Sequence, residues 1–319
     1  MPIVRQAPSK LMVIWGRKMM PVRSSENVLF VDSGKTLFVD SGKTVTGITL
    51  GPGNEFDRMD VNGGTAVGTT VLRGGHVTIF TGTTSNTKIE GGGGDVVAGI
   101  AKGTSVFDGN LFVFPFGTTM DTVLNHGGRE TVEGVSNSAT LNFGGLQVVR
   151  PDGVSNSATV LNGREELLGG ISFLTTVAGG KEEVAGGGVA ISTTVSGKGM
   201  LFIHAGSSVQ DGLTLANGGT AEIHGSMTSG TVTFAGQGGD LKLFNLPEFA
   251  AVISGFGRND LIDLGDFAFS SSSTVSFSSG TLTVTDGNKH AALTLSGPYS
   301  TSNFTLASDG GHGTLIKFV

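Results

Sequence analysis

The chain's 319 residues include 54 glycines, 8 prolines and no cysteine, with 14% charged residues and a net charge of −6. Disulfides and cysteine-ligated metals are excluded, glycine without a strict three-residue period excludes collagen, and no basic patch with interleaved aromatics points to a nucleic-acid partner. With 38% apolar residues and an abundance of Val, Thr, Ile and Phe, the composition suits an ordered β-rich core rather than a glycine-rich linker.

Residues 1–25, MPIVRQAPSKLMVIWGRKMMPVRSS, hold five Lys/Arg and no acid. Their apolar stretch LMVIWG is too short for a signal-peptide core or a bilayer span. The segment is expected to be a poorly ordered leader, with Met19 and Met20 as alternative starts, and no transmembrane segment is expected anywhere.

Residues 29–44 read LFVDSGKT twice without a gap. Each copy ends like a phosphate-binding loop, but G-x-x-x-x-G-K-S/T needs a glycine five residues before the second one. Leu29 and Leu37 stand there instead. The following TVTGITLGPGNEF is β-branched and punctuated by Gly and Pro, a poor start for the helix such a loop requires. No nucleotide site is expected, and the doubling belongs to a repeat.

From 61 to 75, VNGGTAVGTTVLRGG steps from one Gly-Gly pair to the next in eleven residues; 187–199 repeats that step and 170–180 follows it loosely. A step of eight occurs at 178–188 (AGGKEEVAGGG), and GVSNSAT recurs nineteen residues apart, at 134–140 and 153–159. Gly34 to Gly42 is then an eight-step, Gly42 to Gly53 an eleven-step, and each GKT a turn. Each step is a short β-branched strand closed by glycine, which supplies positive φ at tight corners. Such a unit cannot bury its apolar face alone, but it can against copies of itself. The expected fold is all-β: a parallel β-helix (β-solenoid) of about 19-residue rungs over 26–245, with a small C-terminal β cap at 246–319.

Equivalent positions should stack. Thr69-Thr70, Thr175-Thr176 and Thr193-Thr194 are expected to form ladders. Arg129-Glu130, Arg164-Glu165 and Lys181-Glu182 each follow a glycine corner and are expected to line one exposed edge with alternating charge. That edge would be a solvated guard against sheet pairing or a polysaccharide groove.

The pattern V-x-G-G-T-A-x-x-T-T-V-x-x-G-G at 61–75 resembles the strand-loop-strand repeat of AIDA-type autotransporter passengers, surface adhesins of Gram-negative bacteria. The resemblance is most degenerate at 76–125. It implies a right-handed β-helix on the outer surface or outside the cell, acting in adhesion, self-association or biofilm formation. Its partners would be host or bacterial surface glycans, or further copies of the chain. Members of that family can carry heptose on Ser/Thr of the repeats, which makes Ser136, Ser138, Ser155 and Ser157 the matching candidates for glycosylation. The segment after the repeats is too short for the outer-membrane barrel of an autotransporter. Instead ISGFGRNDLIDLGDFAF (253–269), with the alternating strands after it, resembles the C-terminal region of type I secreted bacterial proteins. That implies export without an N-terminal signal, through contact of this region with secretion machinery.

Asp260, Asp263 and Asp266 are the calcium candidates, although residues three apart on a strand face opposite sides. GGGGDVV (91–97) and GQGGDLKL (236–243) miss the calcium-roll register, and no other cofactor is expected. Right-handed β-helices also include polysaccharide lyases and glycosidases, which need paired carboxylates or an Arg/Lys base. Glu130, Glu165, Glu166, Glu182 and Glu183 are where such a pair would lie. They recur with the repeat, however, whereas catalytic groups break a repeat because each needs its own pKa. His76, His126, His204, His224, His290 and His312 fall singly beside turns, without the spacing of a metal site. Trp15 and Tyr299 are the only Trp and Tyr, fewer rings than a sugar-processing cleft displays. A non-enzymatic adhesive solenoid is the expectation, with a carbohydrate-active β-helix as the alternative.

Overall fold

Three short strands joined by tight corners make one rung. The structure, a computed structural model, describes residues 12–15, 18–21, 36–54 and 56–319. Most of the expected leader and the first LFVDSGKT copy lie outside the described residues; within the leader, Met12–Trp15 pairs antiparallel with Lys18–Pro21. The fold is an all-β parallel solenoid with rungs of about 18 residues. It divides into two compact units, Met1–Gln147 and Val148–Val319. Among the described residues, no helix is long and apolar enough to cross a membrane.

In the first unit, Gly94–Val97, Ile100–Lys102 and Ser105–Phe107 form one rung. They stack in parallel on Asn110–Val113, Thr118–Met120 and Val123–Leu124 of the next. Alternation along each strand sends one set of side chains inward. Val77, Ile79, Val97, Leu111, Val113, Val132 and their counterparts are completely or almost completely buried there. Rung length varies because the ladder fixes the strands while the corners absorb insertions. Gly94 pairs with Asn110, sixteen residues on, and Asn110 with Arg129, nineteen on. In the second unit the step grows from seventeen (Arg164 to Lys181) to twenty-one (Asp240 to Leu261).

Parallel stacking runs on to Leu261–Leu264, beyond the boundary expected at 245. The cap follows: an antiparallel meander of Thr274–Ser278, Thr281–Asp286 and Lys289–Ser296, then the hairpin of Phe304–Ser308 and Thr314–Phe318. Lys289–Ser296 adds in parallel to Val252–Ser254, and Thr314–Phe318 adds antiparallel to Leu261–Leu264. Edges of the last rungs that would otherwise invite strand addition are thereby paired. Phe256, Phe277, Tyr299, Phe304 and Phe318 pack together beneath the cap, and the Tyr299 hydroxyl donates to the Phe256 carbonyl at 3.0 Å.

The glycine pairs divide two tasks. Gly144 takes φ +73°, a turn conformation, whereas a β-carbon on Gly145 would sit 2.5 Å from the Leu124 carbonyl oxygen of the neighbouring rung. The first glycine of the pair is there for its dihedral and the second for close approach. The described GKT behaves as a turn: Gly42 has φ +75°, the Lys43 N–H donates to Asp40 O at 3.0 Å, and Thr44 opens a strand.

Another corner repeats a left-handed residue on successive rungs. It holds Asn86, Gly103, Asp121 and Ser138 in the first unit, and Ser157, Leu174, Ser192 and Asp211 in the second. Leu174 is the misfit: it takes φ +56°, lacks a short polar side chain to bond locally, and is 61% exposed. Leu174→Asn should stabilise the chain by about 1 kcal/mol by relieving left-handed strain. Chemical denaturation would show this as a higher midpoint at unchanged slope, and an unchanged midpoint would show that no strain resides there.

Candidate functional site

Adjacent residues on a strand point opposite ways, and this splits each basic–acidic pair. Arg129 and Arg164 are exposed and Lys181 half-buried, whereas Glu130, Glu165 and Glu182 are fully buried. The expected exposed edge of alternating charge is corrected accordingly. Its carboxylates lie inside, on the face they share with Val132, Leu167 and Val184 two residues on.

Within the first unit Glu130 accepts from Thr119 Oγ1 at 2.7 Å, Ser136 Oγ at 3.0 Å and Gln147 Nε2 at 2.6 Å, with Thr122 Oγ1 at 3.4 Å. Within the second unit Glu165 and Glu182 stack in register. Ser172 and Thr193 donate to Glu182 at 2.7 and 3.2 Å, and Thr175 donates to Glu165 at 3.1 Å. The expected threonine ladders are present in these places: Thr69, Thr175 and Thr193 are buried, and Thr176 pairs with Thr194. Burial raises the Glu130 carboxyl. Burial, reinforced by the neighbouring Glu165 charge, pushes Glu182 up to about 8.

Asp95 occupies the same inward column, between Val77 and Leu111. Thr84 and Thr87 stand to it as Thr119 and Thr122 stand to Glu130. Aspartate is one methylene shorter than glutamate. Neither carboxylate oxygen of Asp95 finds a hydrogen-bond partner, and the Thr84, Thr87 and Thr104 hydroxyls are left equally alone. Burial pushes its carboxyl up to about 7.

The outward face of the same strands in the second unit is a continuous strip of charges and rings. Arg164 Nη2 contacts Glu166 Oε1 at 2.9 Å and Glu183 Oε2 at 2.5 Å, while Lys181 and His204 reach Glu183 at 3.0 and 2.7 Å. Burial works to raise Glu183, but His204, Lys181 and Arg164 outweigh it and hold its carboxyl at about 2. Lys181 lies 4.9 Å from the Phe202 ring centre. Phe202 lies 4.6 Å from His204 and 5.1 Å from His224, and His224 stacks on Phe244 at 4.3 Å with only 6° between the planes. Glu222 accepts from or donates to His224 across 2.7 Å according to tautomer and protonation. These residues come from five consecutive rungs in register, a constellation that short-range motif spacing does not reveal.

The first unit carries a second exposed group of rings. Phe112 and Phe114 meet edge to face at 5.0 Å, and Phe116, two residues on, is 92% exposed.

The three calcium candidates are not brought together. Asp260 accepts backbone N–H bonds from Gly239 and Gly257 at 2.9 and 3.0 Å, Asp263 faces the cap hairpin, and Asp266 is exposed. Among the described residues no three His, Asp or Glu side chains gather as a metal site. The four serines also divide. Ser136 and Ser155 are buried on the inner face, beyond the reach of a modifying enzyme in the folded chain. Ser138 and Ser157 are exposed at the left-handed corner.

No family model matches the chain, and no curated protein matches it. Among solved structures, a TibA fragment hyper-glycosylated by TibC is similar at 23% identity and a TM-score of 0.51, over 72% of this chain and 90% of that one. What the two share is the fold, in keeping with the passenger-like solenoid implied by the repeat.

Proposed function

We propose that the chain is a secreted or surface-exposed bacterial β-solenoid, on the outer face of a Gram-negative cell, that works by adhesion rather than catalysis. The outer strip of the second unit carries this reading. Phe202, Phe244 and His224 offer flat apolar faces, while Glu183, Glu222, Arg164 and Lys181 offer donors and acceptors whose charges pair with one another. Such a face suits a neutral glycan, whose C–H face packs on rings and whose hydroxyls bond to the charged rim. The solenoid likeness to the TibA fragment supports the reading at the level of fold. That fragment is described as hyper-glycosylated, and in this chain Ser138 and Ser157 are the serines we propose for sugar attachment. We further propose export by the type I route through the C-terminal region and a place in biofilm matrix. Phe114 and Phe116 form the surface for self-association, since exposed apolar patches mark contact sites.

The carbohydrate-active alternative needs one protonated and one ionised carboxyl flanking a bond. Glu166 and Glu183 are a half-buried pair on the outer face, but Arg164 bridges both and Glu183 is held ionised. The buried Glu130, Glu165 and Glu182 are closed to substrate. Binding therefore fits this geometry better than hydrolysis.

The test titrates the purified full chain against immobilised neutral polysaccharides, beside the double variant Phe202→Ala/Phe244→Ala. Losing two stacking faces at about 0.5–1.5 kcal/mol each should weaken binding by roughly tenfold. Equal binding by the variant would place the contact elsewhere. No binding to any glycan, with concentration-dependent assembly that Phe116→Ser abolishes, would leave self-association as the adhesive mode.

A further inference from the structure

The hairpin that closes the cap lays its tip over the last parallel strand. Thr314–Phe318 runs antiparallel to Leu261–Leu264, with Asp263 opposite Leu315 and Leu264 opposite Thr314. The tip, residues 309–313, reads Asp-Gly-Gly-His-Gly. It buries Asp263 to 7% exposure and leaves Asp263 Oδ1 without a hydrogen-bond partner. A β-carbon on Gly313 would sit 2.6 Å from Asp309 Oδ2 and 2.8 Å from Asp263 Oδ1. Both carboxylate oxygens therefore border the space that this glycine leaves open.

The surroundings add negative charge. Burial first, then Asp309, Asp240 and Glu222, oppose ionisation of Asp263, and Lys242 acts against them. Lys242 stays 3.8 Å from its own partner, Asp240 Oδ2. Asp309 Oδ1 accepts the Gly311 N–H at 2.6 Å, which aims its other oxygen at Asp263.

We propose that Asp263 and Asp309 bind one calcium ion that pins the C-terminal hairpin to the final rung. Calcium takes carboxylate oxygens at about 2.3–2.6 Å, and the space bordered by both carboxylates is where it would take one oxygen from each. Calcium also accepts backbone carbonyls and water among its 6–8 ligands, which a glycine-rich tip can supply where no third acidic side chain converges. Magnesium, with shorter bonds, a strict octahedron and reluctant dehydration, suits an irregular loop of backbone carbonyls less well. This site keeps Asp263 from the calcium trio expected in sequence and replaces Asp260 and Asp266 by Asp309, some forty-six residues on.

The test is thermal unfolding of the full chain with EDTA, with CaCl2 and with MgCl2, together with calorimetric titration of CaCl2. One calcium should bind with a dissociation constant on the order of 10⁻⁴–10⁻³ M, as in extracellular modules with few charged ligands. The midpoint should rise by a few degrees in calcium and not in magnesium, because a ligand bound only to the folded state stabilises it. Asp263→Asn and Asp309→Asn should each abolish both responses while folding in EDTA. A wild-type chain indifferent to calcium, with Asp263→Asn melting higher, would mean that the carboxyls share a proton instead. A calcium response surviving in both variants would also overturn the assignment, because the ion would then bind elsewhere.

Discussion

Glu130→Ala is expected to destabilise the chain by several kcal/mol, at about 1–3 kcal/mol for each buried donor left without its acceptor. The side chain has no exposure, and alanine would take this acceptor from Thr119 and the longer contact Thr122, while Ser136 and Gln147 keep their bond to each other at 2.9 Å. Thr119 and Thr122 are fully buried, so each loses an acceptor away from bulk solvent. In a stacked solenoid stability also depends on each rung holding its neighbours. Glu130→Gln should behave differently. Burial raises the Glu130 carboxyl, an amide has nearly the same shape, and the hydroxyls of Thr119 and Ser136 can accept as well as donate. Circular dichroism melting should place the alanine variant roughly 10 °C below wild type, at about 2–4 °C per kcal/mol, and the glutamine variant within about 3 °C of wild type. An alanine variant melting with wild type would show that the hydroxyls bond elsewhere and that the column is not a network.

How the fold could be read from sequence follows from what the repeat encodes. The Gly-Gly steps, the Thr-Thr pairs and the doubled LFVDSGKT all mark equivalent places on successive rungs, and equivalence alone requires stacking. Rung length was nearly legible for the same reason, since one identical pair of heptapeptides gives nineteen and the corners merely vary around it. Equivalence does not say which way a side chain points. Reading Arg164-Glu165 as a charged unit placed both outside, although Glu165 stands two residues before buried Leu167, a parity that assigns it to the core. Glu130 with Val132, Glu182 with Val184, and Asp95 with Val97 carry the same signal. Ser136 and Ser155 were beyond such counting. A left-handed residue at 138 or 157 breaks the strand's alternation, so parity cannot be carried across from the neighbouring strand. The outer strip was hidden for a third reason: Arg164, Glu183, Phe202 and His224 meet only because four rungs of unequal length align.

Raising the pH from about 4.5 to 8 should lower the melting temperature markedly, against the common pattern of a neutral optimum. The cause is the buried carboxyl groups on the inner face of each unit. Asp95 moves from 3.8 unfolded to about 7 folded, and Glu182 from 4.5 to about 8, both chiefly through burial. Each therefore holds its proton more tightly in the folded chain. Between the two values the folded state carries more protons than the unfolded one, and stability falls as pH rises. The contribution is complete below pH 4 and lost once both folded values are passed. On the acid side Glu183 acts oppositely: with its carboxyl held at about 2, the stability it adds disappears as pH drops from 4.5 toward 2. The maximum is expected between these slopes, near pH 4.5. At about 1.4 kcal/mol per unit, the decline to pH 8 amounts to several kcal/mol. Asp95→Leu, matching Val77 and Leu111 on either side, should remove most of its share and raise stability at pH 8 while changing little at pH 4.5. Asp95→Glu should also gain, because the longer side chain can reach Thr84 and Thr87 as Glu130 reaches Thr119 and Thr122. A melting curve flat from pH 5 to 8 would refute proton holding by these buried carboxyls. A leucine variant less stable than wild type at pH 8 would show that Asp95 has a partner inside, which its isolated oxygens and those of the surrounding threonines argue against.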